Sequence, residues 1–130
     1  MRPIDVACII DDDPIYVFAA KRMMELSDFC QNFMVFNNGM KALDGLIPMI
    51  DAGEAIPELI LLDINMPVMD GWQFLDEFIK IKTDQKITLY IVSSSIDTED
   101  YQKAKTYELV SDFIVKPITI NVLKEILIAI

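Results

Sequence analysis

Asp11 and Asp12 stop the apolar run Val6–Ile10, Asp63 stops Leu59–Leu62, Ser93 follows the run that ends at Val92, and Lys116 follows Phe113–Val115. Three carboxylates, a hydroxyl and an ammonium thus stand at the C-terminal ends of four apolar runs. Carboxylates held close repel one another, so they either hold protons more tightly or recruit a cation. An all-oxygen set open to water suits Mg²⁺, which keeps several of its waters and takes few protein carboxylates. Lys116 is a point charge matched to a phosphoryl oxygen, and Ser93 can donate a hydrogen bond to another. A carboxylate flanked by Mg²⁺ and a lysine is equipped to attack phosphorus and form an acyl phosphate. The cation and the lysine would also neutralise charge in the transition state.

The elements that must position these groups follow from hydrophobic pattern. Val6–Ile10, Phe33–Phe36, Leu59–Leu62, Ile87–Val92 and Phe113–Val115 read as short strands, the first and third as continuous apolar runs buried on both faces. Asp13 followed by Pro14 predicts an N-cap and a first-turn proline. A helix then carries Ile15, Phe18, Ala19, Met23 and Leu26 at helical spacing. Ala42, Leu43, Leu46 and Ile47 mark a second helix, which Pro48 kinks or ends. Phe74, Leu75, Phe78 and Ile79 mark a third. Residues 97–108 form the most polar helix, with Tyr101, Ala104 and Tyr107 on its apolar side, and Val122, Leu123, Ile126, Leu127 and Ile130 stripe the last. Five strands and five helices in alternation predict an α/β domain of three layers, a parallel sheet between helices. In such a sheet ligands bind outside the carboxyl ends of the strands, where the acids, Ser93 and Lys116 lie.

Composition narrows the class. The chain has 130 residues, one domain's worth, and 53% hydrophobic residues exclude disorder. Its net charge of −10 disfavours nucleic acid and anionic membranes as partners. It has no histidine, which excludes histidine catalysis, histidine metal ligation and a phosphohistidine carrier role for this chain. Cys8 and Cys30 lack a spacing pattern and read as free, mostly buried thiols in a reducing compartment. No apolar stretch has the length of a membrane span or a signal-peptide core. The expected setting is soluble and cytoplasmic.

The ordered motifs IIDDDP, LLDINMPVMDG, IVSSS and DFIVKP resemble the receiver domain of two-component response regulators, across the whole chain. The resemblance implies a flavodoxin-like (βα)5 fold with strand order 2-1-3-4-5. It implies that Asp63 is the phosphoacceptor, and that Asp11 and Asp12 position Mg²⁺, with Asp12 preferred as the direct ligand. Asn65 would complete the metal shell through its backbone carbonyl. Ser93 takes the place of the family's Ser or Thr hydroxyl, Lys116 that of its phosphate-binding lysine, and Phe113 that of its aromatic switch residue. The Lys116–Pro117 bond would be cis. The implied partners are a sensor histidine kinase or phosphotransfer protein upstream, and a protein target or second copy downstream. Two features depart from the family pattern. Ser94 stands where a smaller alanine is usual and narrows access, and Phe113 lacks the hydroxyl that a tyrosine would use to hold its inward position.

Each motif alone has a plainer reading: Asp11–Asp13 as a turn and cap, Asp63 and Ser93 as turn residues, Lys116 as a solvated charge, Phe113 as core. Their joint occurrence at strand ends argues for a site. Asp13 is read as a cap. A rival reading is a haloacid-dehalogenase-like phosphohydrolase using Asp11-x-Asp13, and another is a degenerate receiver that only binds. Because the last helix ends at Ile130, residues 1–130 are expected to be a single stand-alone receiver without an output domain. Its self-directed phosphoryl transfer and loss would be its only catalysis.

Overall fold

The apolar runs become strands because a parallel sheet covered on both faces has room only for apolar side chains. The computed structural model of the protein describes residues 3–94 and 97–130; Ser95, last of the three serines noted above, lies outside them. Strands β1 (Ile4–Ile10), β2 (Cys30–Phe36), β3 (Leu59–Asp63), β4 (Thr88–Ser93) and β5 (Val110–Val115) alternate with helices α1 (Pro14–Leu26), α2 (Gly39–Asp51), α3 (Gly71–Phe78), α4 (Thr98–Ala104) and α5 (Ile120–Ala129). All the strand pairs are parallel, in the order β2-β1-β3-β4-β5. The predicted three-layer α/β fold and its strand order are both found.

Alternation along the central strands divides the core in two. Ile9, Leu59 and Leu61 face α1 and α5, where they meet Met24, Leu123 and Ile126. Ile10, Ile60 and Leu62 face the other way, onto Leu46, Phe74 and Phe78 of α2 and α3. Only Ala104 of α4 is buried, in keeping with the polar sequence of that helix.

Several expected boundaries shift. β2 begins at Cys30, earlier than Phe33, and its exposed Gln31 and Asn32 are tolerated because this strand is an edge. β5 likewise begins at Val110, with Ser111 and Asp112 exposed on the opposite edge. α4 is shorter than the 97–108 segment, and α2 continues through Pro48 to Asp51.

The larger correction concerns α1. The helix buries Tyr16, Ala20 and Met24, whereas Ile15 and Phe18 are 80% and 73% exposed and Leu26 is also exposed. Its first half is apolar all round, from Ile15 to Ala20, so spacing alone does not select a face. Packing against the sheet and α5 selects it. Ile79 similarly ends α3 as its exposed C-cap residue.

Candidate functional site

Sheet register brings the chemistry-bearing residues to one edge. Ile10 is level with Leu62 across β1 and β3, so the next residues, Asp11 and Asp63, emerge side by side. Ser93 is level with Val115 across β4 and β5, and the Lys116 N–H donates to the Ser93 carbonyl at 2.9 Å. The reversal of strand order between β1 and β3 opens the crevice into which these residues point.

Local structure then orients each carboxylate. Asp11 is 2% exposed, and its Oδ1 accepts the Asp13 N–H at 2.9 Å, closing a tight turn after β1. Asp12 is exposed at the mouth. Asp13 caps α1 by accepting the N–H groups of Ile15 and Tyr16, ahead of Pro14 in the first turn, as expected. A haloacid-dehalogenase-like reaction would need that acid in the chemistry, and here it serves the helix. Asp63 is 5% exposed, and its Oδ1 accepts the Asn65 N–H at 3.3 Å. Behind it, Gly71 donates to the Ile64 carbonyl at 3.1 Å, and a β-carbon at this position would run into the β3 end. The loop between them holds Val68 at φ 68°, a left-handed conformation that a β-branched residue adopts only under constraint.

Carboxylate oxygens of Asp11, Asp12 and Asp63 lie within 4.8 Å of one another. Lys116 Nζ is 2.9 Å from Asp11 Oδ2 and 3.9 Å from Asp63 Oδ2. The shorter contact is an ion pair without hydrogen-bond alignment, and Asp11 Oδ2 has no hydrogen-bond partner among the described residues. Burial pushes the Asp63 carboxyl up to about 6, and the neighbouring Asp11 charge adds to the rise; the Asn65 N–H and Lys116 oppose it. Asp11 is also raised, by burial first, against the pull of Lys116. The negative charge here is therefore under-compensated by protein groups. Three crowded carboxylates, two of them buried and sharing one lysine, fit a hard divalent cation, and Mg²⁺ in particular.

Ser93 is buried at the end of β4, whereas Ser94 beside it is exposed. Asn65 is exposed next to Asp63. Phe113 is half-buried on β5 and stacks on Tyr101 of α4, with centroids 5.5 Å apart. The Lys116–Pro117 bond is cis. Cys8 is buried and Cys30 half-buried; burial pushes their thiols up to about 12 and about 11, which makes both poor nucleophiles. No helix among the described residues is long and apolar enough to cross a membrane.

One neighbour of the site escaped the sequence reading. Tyr16, buried at the start of α1, lies beneath Lys116, with Nζ 4.3 Å from the centre of its ring. Its signal was present as the first aromatic after the capped acidic turn, but the adjacent Ile15 and Phe18 masked it.

The fold and this acidic edge define the receiver class, and comparison with known proteins agrees. The response regulator receiver domain family matches residues 7–128, and the chain belongs to that family. A two-component response regulator from Cytophaga hutchinsonii superposes with a TM-score of 0.89 at 30% identity, covering 98% of this chain and 97% of that one. Probable methanogenesis regulatory protein FilR2 of Methanothrix harundinacea is 23% identical over 92% of this chain and 76% of its own length. Transcriptional regulatory protein PrrA of Mycobacterium leprae is 29% identical over 84% of this chain, but the match spans only 42% of PrrA. Receiver domains generally bind Mg²⁺ at an acidic pocket and interact with sensor histidine kinases or phosphotransfer proteins; they are not conventional enzymes.

Proposed function

We propose that this receiver accepts a phosphoryl group on Asp63 and signals through a protein contact in the cytoplasm. An Asp63 carboxylate oxygen attacks phosphorus of a phosphohistidine on a sensor kinase or phosphotransfer protein. The N–P bond breaks, the imidazole leaves and takes a proton, and an acyl phosphate forms. Asp11, Asp12, Asp63 and the Asn65 backbone carbonyl would hold Mg²⁺, which supplies charge neutralisation at the phosphoryl oxygens. Lys116 and Ser93 would bind the remaining oxygens. Hydrolysis of the acyl phosphate at the same site would reset the domain.

The observation that carries this reading is the cluster of Asp11, Asp12 and Asp63 with Lys116 in reach of both buried acids. The exposed Ile15 and Phe18 stand next to Asp12 and Asp13 and offer an apolar surface for the phosphodonor protein. On the other side, α4 is thinly anchored and Phe113 stacks on it, which supports output through α4, β5 and α5. Exposed Val115, Ile120 and Ile128 give that face apolar contact area for a target protein or a second copy. A net charge of −10 favours a protein target over nucleic acid.

Incubation with acetyl phosphate or phosphoramidate and Mg²⁺, read by intact mass, tests the assignment. One phosphoryl group is expected on the parent and none on Asp63→Asn. An equal yield on the variant would place the acceptor elsewhere.

A further inference from the structure

Lys116 approaches the acids from β5 on a flexible four-carbon stem, so its ammonium can take more than one position around them. Asp11 and Asp63 compete for it, at 2.9 and 3.9 Å. Below it lies the Tyr16 ring, 4.3 Å from Nζ, within cation–π range. That ring is rigidly placed. Asp13 caps its helix turn, accepting the Tyr16 N–H itself, and the side chain is packed into the core between β1 and α5. Tyr16 is 8% exposed, and its hydroxyl has no hydrogen-bond partner among the described residues. A buried, unpartnered hydroxyl contributes nothing favourable here. The useful part of this side chain is its ring.

We infer that Tyr16 is a positioning residue: its ring is the platform that holds the Lys116 ammonium between Asp11 and Asp63. The electron-rich face of the ring restricts the lysine to the span between the two carboxylates. In the reaction proposed above, on which the kinetic part of this inference rests, the lysine is then already beside the incoming phosphoryl oxygens. A residue of similar bulk without a π-face would fill the core and leave the ammonium free to swing away from Asp63 and toward solvent.

Tyr16→Phe keeps the ring and removes only the orphan hydroxyl; Tyr16→Met fills the space flexibly and removes the ring. Two readouts separate the claims. In metal-free protein, NMR of the Lys116 ε-methylene protons should show an upfield ring-current shift in the parent and in Tyr16→Phe, lost in Tyr16→Met. With Mg²⁺ and phosphoramidate, Tyr16→Met should phosphorylate roughly three- to tenfold more slowly, the range a cation–π contact of this kind covers. Tyr16→Phe should match the parent, with all three folded by thermal melt. Parent-like rates in Tyr16→Met would overturn the positioning role and leave Asp63 as acceptor intact. A parent that takes no phosphoryl group would overturn the proposed function, and the methylene shift would then decide the Tyr16–Lys116 contact by itself. If Tyr16→Met fails to fold, an unshifted Lys116 methylene in the parent would overturn the inference and a shifted one would support it.

Discussion

Lys116 lies a full ångström nearer to Asp11 than to Asp63, at 2.9 against 3.9 Å. Before phosphorylation the lysine therefore neutralises mainly the acid that is not the proposed acceptor. A phosphoryl group on Asp63 adds about −1.5 to −2 charges beside it and would draw the ammonium across. Because Lys116 also ends β5, that movement would be felt along the strand that carries Phe113.

Lys116→Ala should retain Mg²⁺ binding yet lose stability in the metal-free state at pH 7. Removing one partner of a largely buried pair leaves Asp11 uncompensated, which costs of the order of 3 kcal/mol. Urea unfolding at fixed pH measures this. Unchanged stability would show that the pair contributes little, and equal NMR shifts over β4 and β5 in variant and parent on adding beryllofluoride would deny the lysine its coupling role.

Metal-free stability should fall as pH rises from about 4 to about 7. Asp63 is raised from its ordinary 3.8 to about 6. Between those values the folded protein binds more protons than the unfolded chain, so the slope of unfolding free energy with pH is negative. Asp11 is raised as well and contributes with the same sign. Asp63→Asn should flatten the profile and stabilise the metal-free protein at pH 7 by at most about 3 kcal/mol. Denaturation midpoints across this range in chelator give the answer, and a rising profile would contradict the charge crowding.

Mg²⁺ should raise the melting temperature of the parent, because a ligand bound only by the folded state stabilises it. The gain is about 2.7 kcal/mol at a hundred times the dissociation constant. Asp12→Ala should abolish that rise. Its metal-free melt should be unchanged or higher, since Asp12 is exposed and its charge adds to the crowding at Asp63. A large metal-free loss would make Asp12 a structural acid.

Gly71→Ala should destabilise by about 2–3 kcal/mol and slow phosphoryl acceptance. A β-carbon there would stand 2.6 Å from the Asp63 carbonyl oxygen and 2.7 Å from the Ile64 α-carbon, both backbone atoms that cannot step aside. Gly53→Ala is the control: it has φ +70° but open space around it, so only the conformational cost of about 1–2 kcal/mol applies, with no effect on phosphorylation. Equal kinetics in the two variants would remove Gly71 from the support of Asp63.

Amide exchange over α4 should rise in Phe113→Ala, while β3 amides stay protected. The helix buries only Ala104, so edge contacts such as the Tyr101–Phe113 stack, and Lys103 placed over Trp72 of α3, hold it down. No change in exchange by mass spectrometry would mean that the stack does not restrain α4.

Asp11, Asp63, Ser93 and Lys116 are legible as a set from the sequence alone. Apolar runs buried on both faces imply a parallel sheet, and a parallel sheet gathers its strand ends at one edge. The Asp13 cap was equally local, being a matter of one side chain and the next two N–H groups. What the chain alone left open depended on choices between near-equal alternatives. α1 is apolar on several faces, and only packing against the sheet and α5 decided that Tyr16, Ala20 and Met24 turn inward while Ile15 and Phe18 face out. The starts of β2 and β5 depended on their place at the sheet edges, where polar residues cost little. The position of Lys116 between two acids and above an aromatic ring joins residues a hundred positions apart. Distances of an ångström among charged groups set its balance, and those distances exist only once the strands are in register.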